Sequence, residues 1–226
     1  MSDSHENRRA EPIINLPTPI VAVGVFMAGV HAAQVFIVPA SANAHIIWWF
    51  SFIPVRLSQF SAEYIQTLVS YSLLHGSWGH LANNSLWLVA FGSPVAAALG
   101  NARFALFWVI CSVAAALVHL GADPSSMVPM IGASGAVSGM MGAAARAGFR
   151  LRANRTIDDE PIVLPSLALV LRNRSVIAFL CLYLAVNVGI GLSDTVAPGI
   201  ASIAWQAHIG GLIAGFLLFP LMLRHR

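Results

Sequence analysis

The stretch MIGASGAVSGMMGAAARAG, residues 130–148, is apolar enough for a membrane yet built almost wholly from small side chains, and its serine stands among glycines. Two roles compete for Ser134, which follows Gly132 by two residues and directly precedes Gly135. Ser134, Ser138 and Gly142 recur every four residues, the small-xxx-small row that lets helices in lipid approach closely. The same small neighbours also leave room for a serine that does chemistry. Which role holds depends on what the rest of the chain brings to this segment.

With 58% hydrophobic and 9% charged residues, 226 residues cannot hide their apolar surface inside a water-soluble globule. The composition indicates an all-α polytopic membrane protein. A bilayer's hydrocarbon core asks for about 20 apolar residues per helix, and six runs qualify: roughly 20–40, 80–100, 103–121, 134–149, 175–192 and 201–222. The domain organisation expected is a polar tail at 1–19, a six-span membrane domain at 20–222 and a short tail at 223–226. The opening MSDSHENRRAEPIINLP has no apolar core before a small-residue cleavage site, so the first span is expected to remain as an anchor. Breakers separate the runs: Pro39, Gly100–Asn101, GADPSSMVP and GLSDTVAPG. The one sizeable polar connection, RLRANRTIDDEPIVLPSLALVLRNR, contains an apolar piece split by Pro165, read as a loop at the membrane surface. Cys111 and Cys181 lie in apolar runs and imply no disulfide framework.

All twelve basic residues are arginines, and their distribution orients the chain. With the N-terminus in the cytoplasm, eleven of the twelve fall on or near the cytoplasmic side and Arg56 alone lies outside, a positive-inside asymmetry. The net charge of +3 therefore needs no nucleic-acid partner. Spans two, four and six run from outside to inside, which brings His80, Asn84, Ser134 and His208 to the outer half of the membrane. Polar groups at that depth are costly unless they pair or face a wet cavity.

Taken singly, each has a structural explanation: packing for Ser134, a satisfied imidazole for His208, a cap or interhelical tie for Asn84, a wet interface for His80. Together they fit a scheme. Gly211 and Gly215 share the helix face of His208 at i+3 and i+7. Small residues on both spans allow the close backbone approach that an imidazole needs to come within about 3 Å of a serine hydroxyl. His80 and Asn84, four apart at a helix start, project to one face. An amide and an imidazole N–H are suitable donors for the oxyanion that serine-mediated hydrolysis creates.

These elements resemble the rhomboid family of intramembrane serine proteases. The match lies in GASG at 132–135, AHIGGLIAG at 207–215 and HLANN at 80–84, in that spatial scheme and over the whole of residues 20–222. The resemblance implies a bacterial-type six-span core in an inner membrane with both termini cytoplasmic, and an endopeptidase acting on single-span or other membrane proteins within the bilayer, without a cofactor or metal. It makes Ser134 the nucleophile and His208 the general base. His80, Asn84 and the Ser134 N–H become the oxyanion donors, and Gly132, Gly135, Gly211 and Gly215 support helix packing. Two departures stand out. Ser138 occupies a position where many members have a tyrosine under the catalytic imidazole, which leaves the His208 ring less constrained. Arg56 follows Val55, where many have a Trp-Arg pair, and receives no role. The loop around it keeps Trp48, Trp49 and Phe50, suited to a segment seated in the interface.

None of the nine acidic residues lies in an expected span, so no carboxylate is at hand to orient His208 and a dyad is expected. The same absence counts against an intramembrane aspartyl protease, and no His-Glu-x-x-His supports a zincin. Two alternatives belong to other classes: a catalytically silent rhomboid-like protein that binds membrane clients, and a histidine-lined transporter. Both Ser134 and His208 are present, against the first, and no inverted repeat or intramembrane carboxylate supports the second. His75 is expected to hold its loop by hydrogen bonding, and His31 and His119 to be structural. Span four, 16 residues from Ser134 to Phe149, is about 24 Å long against a core of roughly 30 Å. Its short reach leaves a depression above Ser134 through which water reaches the serine.

Overall fold

A computed structural model describes residues 16–60, 63–154, 162–196 and 204–223, at 60 and 190–196 by their backbone alone. The rest of the expected polar tail, residues 1–15, lies outside the described residues. So do 155–161 of the polar connection, 197–203 between the last two runs, and 224–226. Everything described is helix or connection apart from one isolated antiparallel bridge, Phe52 with Met130.

Among the described residues, each of the six apolar runs falls mainly on helix. The first is α1 (Thr18–Phe36); Pro39 then caps a separate helix, α2 (Ala40–Phe50), so the run expected to reach residue 40 ends sooner. The outer loop continues through α3 (Pro54–Phe60), α4 (Thr67–Ser70) and a 3-10 turn, Tyr71–Leu73. The second run is composite: α5 (Trp78–Trp87), a π-helical turn at Leu88–Gly92, then α6 (Ser93–Leu99). Pro94 has no N–H to give the preceding turn and its ring crowds that turn's carbonyls. The wider π turn absorbs the mismatch without breaking the span. Then come α7 (Asn101–Ala122), α8 (Ser134–Arg146), α10 (Arg174–Val196) and α11 (Trp205–Met222). The polar connection is not all loop, since Ser166 caps a short helix, α9 (Leu167–Arg172). By length and hydropathy, α1, α7 and α11 are each sufficient to cross a membrane.

Helix α8 is the centre of the bundle, and its small residues explain why. Every residue from Gly135 to Ala145 is buried, with α11 and α7 along its flanks and the π turn, α5 and α10 completing the ring. It stops three residues earlier than expected. Gly148, at φ 64°, and the two hydrogen bonds Phe149 N–H to the Ala144 carbonyl (2.8 Å) and Gly148 N–H to the Ala145 carbonyl (2.9 Å) form a Schellman stop. Thirteen residues make a helix about 20 Å long.

Candidate active site

The approach to Ser134 is set by the outer loop. Phe52 and Met130 exchange two backbone hydrogen bonds (3.0 and 2.8 Å), Val55 N–H reaches the Ser126 carbonyl (3.1 Å), and Gly132 N–H reaches the Tyr71 carbonyl (2.9 Å). Tyr71 is itself fixed by donating its hydroxyl to the Ser112 carbonyl on α7 (3.0 Å). Arg56, given no role from sequence, holds this loop together. Its guanidinium lies 3.6 Å from the Tyr64 ring centroid and 3.9 Å from that of Trp48, and it donates to the Trp48 carbonyl. Trp48, Trp49 and Phe50 remain exposed at the surface of the loop.

Gly132 has φ +116°, which a side chain would not tolerate. It also has no room for one: a Cβ there would stand 2.6 Å from His80 Cε1 and Nε2 and 3.3 Å from Asn84 Nδ2. His80 and Asn84 therefore lie against the backbone two residues before Ser134. They sit one turn apart on α5, which Ser77 caps by accepting the His80 N–H (3.1 Å). Asn84 is buried, and its Nδ2 has no acceptor among the described residues.

His208 comes from the first turn of α11. A Cβ on Gly211 would collide with the Gly135 carbonyl oxygen, one on Gly215 with that of Gly139, and one on Gly142 with that of Leu212. The two helices thus meet backbone to backbone. The α8 side of this seam is the row Gly135, Gly139, Gly142 and not Ser134, Ser138, Gly142: Ser138 meets Tyr183 of α10, and Ser134 turns its hydroxyl to His208. Contact this close brings His208 Nε2 to 2.8 Å from Ser134 Oγ, across 74 residues of chain.

A residue that the sequence reading passed over completes the cluster. Asn187 on α10 sets its Oδ1 2.7 Å from His208 Nδ1, and its Nδ2 donates to the Tyr183 carbonyl (2.8 Å). Asn187 therefore extends the Ser134–His208 hydrogen bond by a third side chain, an amide. Tyr183, one turn earlier, donates its hydroxyl to Ser138 Oγ (2.6 Å), and Ser138 donates to the Ser134 carbonyl (2.6 Å). The expectation of a loosely held His208 ring is corrected by these contacts from α10. The signal was available: Tyr183 and Asn187 are i and i+4 polar residues in an otherwise apolar span.

His75 does not hydrogen-bond as expected. Neither ring nitrogen has a partner among the described residues, and the ring packs edge-on against His80 at 5.1 Å. Burial, with the nearby His80 and His31 rings, pushes its pKa down to about 4, so it packs as a neutral ring. His31 sits edge-on to Trp78 at 4.7 Å, and His119 is buried on α7. Among the described residues, no group of three or more His, Cys, Asp or Glu is arranged to hold a metal ion.

Comparison with known proteins gives this arrangement a lineage. A family model for the Rhomboid domain matches residues 62–225. RHOMBOID-like protein 4 of Arabidopsis thaliana is 33% identical over 158 residues, covering 70% of this chain and 34% of that one. RHOMBOID-like protein 5 of the same plant is 29% identical over 158 residues, 70% of this chain and 44% of that one. The Rhomboid protease GluP of Bacillus subtilis is 28% identical over 151 residues, 66% of this chain and 24% of that one. The chain spans between a quarter and under a half of the length of these relatives. With a match over most of its length and an all-α bundle of apolar helices, the chain belongs to the rhomboid family and is an integral, multi-pass membrane protein.

Proposed function

We propose that this protein is an intramembrane serine endopeptidase that hydrolyses peptide bonds in or near the transmembrane segments of membrane proteins. One observation carries the reading: a serine hydroxyl and an imidazole nitrogen from different helices at 2.8 Å, in a half-open position at the head of a buried helix. Ser134 Oγ attacks the scissile carbonyl while His208 Nε2 takes its proton. The oxyanion that forms accepts hydrogen bonds from the Ser134 N–H, His80 and the Asn84 amide. A buried donor without an acceptor costs about 1–3 kcal/mol. The unsatisfied Asn84 Nδ2 is therefore best understood as awaiting an oxygen that the substrate brings. His208 then hands its proton to the leaving amine, and water entering above the short α8 hydrolyses the acyl-enzyme.

The arginine asymmetry supports a six-span topology with both termini cytoplasmic. Substrates are single-span or other membrane proteins whose helices unwind readily, since an intact helix keeps its carbonyls hydrogen-bonded and out of Ser134's reach. The test is incubation of the purified protein, in detergent and in liposomes, with a single-span reporter and with a serine-directed fluorophosphonate. Cleavage and labelling that both vanish in Ser134→Ala support the reading. A folded wild-type protein that neither cleaves nor labels overturns it, in favour of a silent, client-binding rhomboid-like protein.

A further inference from the structure

We infer that Asn187 is a positioning residue for His208, holding its ring in the one tautomer that accepts the Ser134 proton; the inference rests on the serine-endopeptidase reading above. The chain of hydrogen bonds decides the matter at its far end. The Tyr183 carbonyl can only accept, so the Asn187 atom 2.8 Å from it is the amide nitrogen. That orientation turns the amide oxygen toward His208 Nδ1 at 2.7 Å. An oxygen acceptor there requires Nδ1 to carry the hydrogen, which leaves Nε2 with its lone pair toward Ser134 Oγ at 2.8 Å. A backbone carbonyl on α10 thus specifies, through one amide, which nitrogen of His208 is the base.

The surroundings make this role specific to Asn187. Its side chain is buried, on a helix whose neighbouring residues Leu182, Leu184, Val186 and Val188 are exposed. A polar side chain turned inward from a lipid-facing helix costs more than an apolar one unless its bonds are made. No other side chain among the described residues hydrogen-bonds His208 Nδ1. An amide orients the ring as a carboxylate does but adds no counter-charge when the imidazole protonates, so the contribution expected is smaller than that of the acid in a charged triad.

The test measures reporter cleavage and fluorophosphonate labelling, per folded enzyme in liposomes, for Asn187→Leu, Asn187→Ala and Asn187→Asp. Leucine preserves volume and alanine opens space, so a folding defect in one leaves the other readable. Both are expected to lose about 10²-fold in kcat, the lower end of what a positioned acid–base group supplies, with KM and melting temperature near wild type. Aspartic acid in its neutral form reproduces both bonds, donating to the Tyr183 carbonyl and accepting from Nδ1, and is expected to recover at least about tenfold of that loss. Wild-type kcat in the leucine and alanine variants overturns the inference. So does a loss shared by KM and melting temperature with no recovery in Asn187→Asp, the pattern of a purely structural tie. A wild-type protein that neither labels nor cleaves removes the endopeptidase reading and this inference together, whereas an active wild type with indifferent Asn187 variants removes this inference alone.

Discussion

Helices α11 and α10 both flank Ser134, and they reach it by opposite means. The α8–α11 seam is glycine against backbone: Gly211 on the Gly135 carbonyl, Gly215 on the Gly139 carbonyl, Gly142 on the Leu212 carbonyl. No side-chain torsion intervenes, so the separation of the two helices is as stiff as the helices themselves. Near Ser134 the α10 side touches through two polar side chains, Tyr183 and Asn187, while its apolar packing, Val176, Phe179 and Leu180 around Ala145 and Phe216, lies toward the other end of the helix. The first wall fixes how far apart the reacting atoms are; the second fixes how the ring between them is turned. Distance is held by shape, and orientation by hydrogen bonds that a modest tilt of α10 would undo.

Substitutions that separate the two walls would sharpen or break this contrast. The largest effect should come from the pair they hold in common. Ser134→Ala and His208→Ala should each abolish reporter cleavage while leaving the melting temperature near wild type, and the double variant should lose no more than either alone. Activity retained in either would remove the purpose both walls are said to serve. Asn84→Ala, on neither wall, should lower kcat by roughly 10²–10³-fold, the usual cost of one oxyanion donor, with KM and melting temperature little changed. A fall in activity matched by loss of folded protein would make Asn84 a structural tie.

Gly215→Ala tests the stiff wall alone. Its Cβ has only the Gly139 carbonyl to push against, so α11 must shift, at a cost of about 1–3 kcal/mol in stability. A displacement near 1 Å at His208 should cost about 10²-fold in cleavage. Melting temperature and cleavage should fall together here, in contrast to the Asn84 variant; an unchanged melting temperature would show that the seam has slack. Tyr183→Phe should be mildest. It removes the hydrogen bond to Ser138, worth about 1 kcal/mol, and a long one to the His208 carbonyl (3.5 Å), and leaves Ser138 donating to the Ser134 carbonyl. Cleavage should drop only a few-fold, and a drop as large as that of Gly215→Ala would mean that α10 carries distance as well as orientation.

The stiff wall was legible in the sequence, whereas the soft one showed only as a polar pair, Tyr183 and Asn187, with no sign of what it meets. Small residues at fixed helical spacing on two apolar runs announce close contact whatever the register, so Gly142, Gly211 and Gly215 could be picked out before any fold was known. The register itself was not available, because Ser134–Ser138–Gly142 and Gly135–Gly139–Gly142 are both small-residue rows and only the partner helix chooses between them. Asn187 is a single amide in an apolar run, and its partner, 21 residues on, lies across a connection whose geometry no periodicity encodes. The same limit hid the clasp around Arg56, which depends on the Trp48 and Tyr64 rings and the Trp48 carbonyl folding over it. Gly148 held the signal for the early end of α8, a glycine where a helix closes on a left-handed residue. Pro94 likewise marked a disturbance in the second run, though not the π turn that accommodates it.

Ser134 and His208 stand 74 residues apart, and His208 rides on α11, which follows every other described helix along the chain. At ribosomal speeds of about 5–20 residues per second, Ser134 is synthesised roughly 4–15 s before His208 exists. During that interval the serine is an ordinary alcohol. On the endopeptidase reading proposed above, the docking of α11 against α8 is therefore an arming step: the chain would acquire the means to cut only once that seam closes.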